Sequence, residues 1–204
     1  KEHAKALSFF MYLFLGMTVA LALWYVALPS DIVSVLFQSQ STTINAINSN
    51  AIQGSAYRLD FFSKIFFNNV KVLVFCILFS FIYGAGAIFI LTWNASVIGA
   101  AIGNFIRGNL ASYGHLAGFD KAAKYLYVVS FGLFKYAIHG IPEILAYFTA
   151  GLAGGIISIA VIKHDFGTVK FEQILLDSAD LLLASFVILF LAAVLEVYVT
   201  PIVF

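Results

Sequence analysis

The chain has 204 residues, 62% of them hydrophobic and only 10% charged, with a mean hydropathy of +1.00. A soluble domain carries about a quarter charged residues, so this composition excludes a soluble fold and defines a polytopic, all-α membrane protein. A net charge of +1 with no basic cluster leaves nothing to neutralise nucleic-acid phosphates, and a single cysteine, Cys76, excludes an intrachain disulfide.

The first element is the apolar run from Ser8 to Leu28. At about 21 residues it is long enough to cross the bilayer and reads as a retained helix rather than a signal peptide. Trp24 and Tyr25 near its far end suit an interfacial anchor. Residues 29–66 follow as a polar connection. Its stretch from Gln38 to Ala56 has few charges and room for a short helix. It then becomes amphipathic, with Tyr57, Phe61 and Ile65 on one face and Phe62 and Phe66 alongside, a pattern that predicts an interfacial helix. The chain is otherwise a single transmembrane domain, 1–204.

The second apolar run, Val70 to Trp93, is long enough to span, with Asn68 and Asn69 at its mouth and Gly84 and Gly86 in its later part. The third, Asn94 to Arg107, offers only about 13 residues between its ends, which predicts a short tilted or re-entrant segment buried in protein. Within it Gly99 and Gly103 form a G-x-x-x-G pair suited to close helix packing. A loop with Gly108, Gly114 and Gly118 leads to a long apolar stretch, Tyr125 to Ile162, interrupted at Gly140 and Pro142. Proline cannot donate to the carbonyl one turn earlier, so this stretch reads as a helix broken or kinked near Gly140–Pro142. The last run, Leu181 to Val199, carries one acid, Glu196. About five spans result. Lys1 and Lys5 place the N-terminus in the cytoplasm under the positive-inside rule, although the later loops are nearly balanced in charge.

One constellation stands out. Lys135, His139, Glu143 and Tyr147 are spaced by four and form one polar stripe on a helix. Ionisable groups at membrane depth are costly and mark functional sites by default. The plainer reading, that the pair His139 and Glu143 holds helices together because buried polar groups must find partners, carries more weight from spacing alone. His139 and Glu143 also match metal-ligand spacing, but no third ligand follows in the segment, since His115 and His164 fall in loops. No cofactor is implied and no catalytic elbow or phosphate-cradling loop is present, so the chain does not read as an enzyme. Ala146, Ala150 and Gly154 extend the small-residue surface. With Gly99 and Gly103 they offer enough close-packing face to predict a homodimer.

The stretches "FNN" (Phe67 to Asn69), "WNASVIG" (Trp93 to Gly99), "HGIPEILAYFTAGLAG" (His139 to Gly154) and "LEVYVTP" (Leu195 to Pro201), in that order, resemble the stage II sporulation protein M family. The resemblance frames nearly everything after residue 60; Ala95 stands where the family often has glycine. It implies a five-span helical membrane protein with signature positions Asn69, Asn94, His139, Glu143, Glu196 and Pro201. In spore formers it implies a membrane anchor that recruits two cell-wall-degrading partner proteins for engulfment. A scaffold in the cell membrane is therefore the first functional expectation. A small transporter or channel using Lys135, His139, Glu143 and Glu196 is the second, and an intramembrane metalloenzyme the third.

Overall fold

A computed structural model of the chain describes residues 2–49, 58–83, 87–113, 115, 118–163 and 167–203. Lys1, Tyr57, Gly84, Gly86, Gly114 and His164, singled out above, lie outside the described residues, as do 50–56 of the polar connection. Among the described residues every regular element is helical: α1 (Glu2–Ala27), α2 (Ser30–Leu36), α3 (Gln38–Ser49), α4 (Arg58–Tyr83), α5 (Ala87–Ser112), α6 (Gly118–Ile162), α7 (Val169–Val194), a single π-helical turn (Leu195–Val199) and α8 (Thr200–Val203). Five of these stretches are long and apolar enough to cross a membrane. In hydrocarbon every backbone polar group must find a partner inside the protein, and a helix supplies those partners within its own segment.

The boundaries correct four expectations. The third segment is neither short nor re-entrant. α5 begins at Ala87 and runs 26 residues to Ser112, about 39 Å at 1.5 Å per residue. The apolar run from Val70 to Trp93 in fact belongs to two helices, because α4 ends at Tyr83; Asn94 lies inside α5 and marks no boundary. Of the two readings of the stretch around Gly140–Pro142, the continuous helix holds and the break does not: α6 is one helix of 45 residues with Pro142 in its interior. Pro142 removes one rung, to the Ile138 carbonyl, and the helix continues through that gap. Finally, residues 58–66 form no separate interfacial helix. They are the first turns of α4, where Phe62 and Phe66 stack with each other and meet Phe186 and Phe190 of α7 edge-on.

α6 is the central element. Of its most apolar window 61% is buried in the protein, against 33% or less for the other four, so it carries the bundle's interior while its neighbours face lipid. Ala146, Ala150 and Ala153 are fully buried, and at Gly154 a β-carbon would sit 2.6 Å from the Ile77 carbonyl oxygen. The small row thus seats α4 against α6. On the opposite side of the bundle a β-carbon at Gly99 would meet the Thr18 oxygen at 3.0 Å, and one at Gly103 the Tyr25 Cβ at 2.5 Å. The G-x-x-x-G pair therefore joins α5 to α1. Both small-residue faces that suggested a homodimer are occupied within one chain.

Tyr25 is buried rather than lipid-facing: its ring packs on Phe37 and its hydroxyl donates to Asn104 Oδ1 at 3.5 Å. Trp24 remains exposed, consistent with an anchor. Beside Tyr25, the Arg107 guanidinium donates to the carbonyls of Tyr25 (3.3 Å) and Leu28 (3.0 Å) and to Ser30 Oγ (2.7 Å). These carbonyls end α1 and lack partners within the helix, and a cation there also complements the helix dipole. Replacing Arg107 by Met is expected to lower stability by about 1–3 kcal/mol, the usual cost of leaving such groups unpaired. A thermal melt in detergent checks this, and a midpoint equal to wild type would show that the cap contributes nothing.

Candidate functional site

The polar stripe of α6 divides when its partners are traced. Lys135 turns toward α5, where its ammonium lies 5.5 Å from the ring centre of Phe105; a cation over an aromatic face is a favourable contact. His139 and Glu143 instead face the end of α7. His139 Nδ1 lies 3.3 Å from Thr200 Oγ1, and its ring meets Tyr136 edge-on. Glu143 Oε1 accepts the Tyr147 hydroxyl at 2.7 Å, and Tyr147 is completely buried. That hydrogen bond spans one helical turn, as the four-residue spacing requires.

The opposite wall is built by the π-helical turn. Across Leu195–Val199 the backbone widens: the Thr200 N–H reaches the Leu195 carbonyl, five residues back, and the Thr200 hydroxyl donates to the same oxygen at 3.1 Å. The wide turn precedes Pro201, which has no N–H to continue an α pattern. Such insertions rotate the residues around them and concentrate at functional sites. Here the turn packs on α6, and Glu196, within it, lies in electrostatic range of Glu143 and of Tyr147. Two carboxylates from different helices thus lie within electrostatic range of each other, with Tyr147 bonded to one of them. Cys76, fully buried on α4, belongs to the same buried cluster as Tyr147.

The remaining sequence candidates are placed apart from this cluster or at its margin. Asn69 is buried on the face of α4 that also carries Leu73, Cys76 and Ser80, the face turned to α6. Asn94 does not cap or bridge to a neighbour, since its amide donates to the Ile90 carbonyl of its own helix at 2.9 Å. Among the described residues no three His, Cys, Asp or Glu side chains are grouped to hold a metal ion, so the third ligand that a metal site at His139 and Glu143 requires is not supplied.

Two participants escape sequence reading. Thr200 looks like an ordinary residue before a proline, and only the π turn brings it to His139. Arg107 falls at the edge of what reads as a loop, yet it is an interior residue of α5 that closes α1. A threonine just before proline in a membrane segment is a signal for such a turn, because the proline leaves carbonyls for a hydroxyl to satisfy.

These features define a polytopic helical membrane protein with a polar site buried in its bundle. The chain belongs to the stage II sporulation protein M family, whose model matches residues 8–201. No curated protein and no solved structure matches it.

Proposed function

We propose that this protein is a small membrane transporter in which Glu143 and Glu196 exchange a proton or a monovalent cation. The reading is supported by two acids, Glu143 on α6 and Glu196 on the π turn, that lie within electrostatic range of each other and share the neighbour Tyr147. Like charges repel strongly in a low-dielectric interior, so a facing carboxylate pair is stable when a proton or cation lies between them. Tyr147 donates to Glu143 and holds it in place, while His139 beside Thr200 offers a second group able to relay a proton. The long α6 positions three of these four side chains on one rigid element, and the π turn supplies a part that can rearrange.

The test is flux. Protein reconstituted in vesicles with a pH-sensitive dye inside is expected to dissipate an imposed proton or sodium gradient, and Glu196→Gln to reduce this to the level of protein-free vesicles. Wild-type protein that leaves both gradients untouched overturns the reading.

A second reading, a membrane scaffold that recruits partner proteins, is supported by the family to which the chain belongs. Its partners would meet the ends of the bundle or its lipid-facing helices, since the small-residue faces are already occupied. On this reading a tagged protein captures the same partners from its native membrane whether or not Glu143 and Glu196 are changed to Gln.

A further inference from the structure

A polar cleft of about 420 Å³ opens at the far end of α1, between α2, α3 and α5. It is unconnected with the Glu143–Glu196 cluster. Its walls include Ser34, Ser41, Asn45, Asn104 and Arg107 and, among the described residues, no aspartate or glutamate. The geometry points to a binding site for a phosphate group, carried by an anionic phospholipid headgroup or free in solution, with Arg107 as its charge and Asn104 as its orienting donor.

Four observations converge. Arg107 is always charged, and its three hydrogen bonds are to carbonyl and hydroxyl oxygens, none of which cancels that charge. A guanidinium has five N–H groups, so two remain for a ligand, and their planar fork matches phosphate oxygens. Those three bonds also fix the fork in place before any ligand arrives, which lowers the ordering cost of binding. Asn104 accepts the Tyr25 hydroxyl on its Oδ1, which leaves the amide N–H₂ as the outward group, a donor rather than an acceptor. Ser41 and Asn45 bring further donors from α3.

The position agrees with the chemistry. The cleft adjoins the end of one apolar stretch, Ser8–Ala27, and the last turns of another, Ile88–Ser112, so Arg107 lies near the edge of the apolar region. α2 and α3 form its outer wall, and α3 is tied to α5 where Gln40 donates to Ser96 at 3.0 Å. The volume falls within the range of small-ligand pockets, about 300–1,000 Å³, and accommodates a phosphoglycerol group.

The experiment is a thermal-shift titration of the purified full chain in a neutral detergent. Dioctanoyl phosphatidylglycerol, inorganic phosphate and dioctanoyl phosphatidylcholine are the three probes, with sodium chloride at matched ionic strength as control. A saturable rise in melting temperature with phosphatidylglycerol alone assigns the site to a lipid headgroup. A rise with inorganic phosphate as well assigns it to the phosphate group itself. Asn45→Asp places a carboxylate opposite Arg107 without touching the bonds that close α1, and it is expected to weaken the response at least tenfold while the unliganded melting temperature stays within a degree or two. Asn104→Ala is expected to weaken it less. No saturable rise with either anionic probe overturns the proposal, and so does a response that Asn45→Asp leaves unchanged. A rise of equal size with phosphatidylcholine overturns it too, since that would report acyl-chain contact alone.

Discussion

Gly154→Ala is expected to destabilise the protein by about 1–3 kcal/mol, the usual cost of overpacking. The new β-carbon would fall 2.6 Å from the Ile77 carbonyl oxygen and 3.2 Å from its Cα. Both are backbone atoms, so no rotamer change relieves the clash and α4 must move away from α6. Ordinary contact begins near 3.4 Å; a displacement of the better part of an ångström would loosen the buried cluster of Leu73, Cys76, Tyr147 and Ala150. In a bilayer that loss is not recovered by hydrophobic burial, because lipid is as apolar as the partner helix and association rests on close packing. Helix propensity works the other way, as alanine is favoured over glycine by about 1 kcal/mol, and the net loss is what remains after it. Gly140→Ala is the control. It lies on the same helix, with no heavy atom within 4 Å of the added carbon, so propensity alone acts and stability should hold or rise. Unfolding in mixed detergent, followed by circular dichroism, measures both. Equal midpoints for the two variants would show that the α4–α6 contact is not limiting.

The sequence made the class of fold legible and hid the boundaries, for a physical reason. Length and hydropathy determine whether a segment can cross a membrane, and these are visible directly; the family resemblance drew on the same runs. A helix end inside an apolar chain leaves little trace, because no polar composition marks it. Asn94 looked like such an end, yet an asparagine that donates to the carbonyl four residues back satisfies itself and sits inside a helix. Pro142 looked like a break, but a proline in a helix packed on several sides removes one bond without ending it. The small-residue motifs were legible as packing faces. Their partners were not, since a glycine pair says that something approaches closely and not whether it is another chain. The i, i+4 spacing of the stripe survives in any helix, and the Glu143–Tyr147 bond follows from it directly, although Lys135 turns to Phe105 instead. Its other half was hidden, because the position of Glu196 and Thr200 depends on a π turn that no periodicity announces.

Glu143→Gln and Glu143→Leu are expected to separate the two roles that this side chain can play. Tyr147 is fully buried, and its hydroxyl donates to Glu143 at 2.7 Å. Leucine removes the acceptor and leaves that hydroxyl stranded, which costs about 1–3 kcal/mol, so Glu143→Leu should melt earlier. Glutamine keeps a carbonyl oxygen at nearly the same position, and the Tyr147 bond survives; Glu143→Gln should melt close to wild type. What glutamine lacks is the capacity to take and release a proton or to neutralise a cation opposite Glu196. On the transport reading flux therefore falls to that of protein-free vesicles in both variants, although only one is unstable. Tyr147→Phe completes the set. It removes the donor and leaves the carboxylate in place, so flux should persist at a reduced rate, with Glu143 less firmly held. Full flux from Glu143→Gln, with the stability loss confined to Glu143→Leu, would reduce the cluster to a structural tie between α6 and the end of α7. If Glu143→Gln melted as early as Glu143→Leu, the negative charge itself would be stabilising the bundle, and the site would have to contain a bound cation in the resting protein.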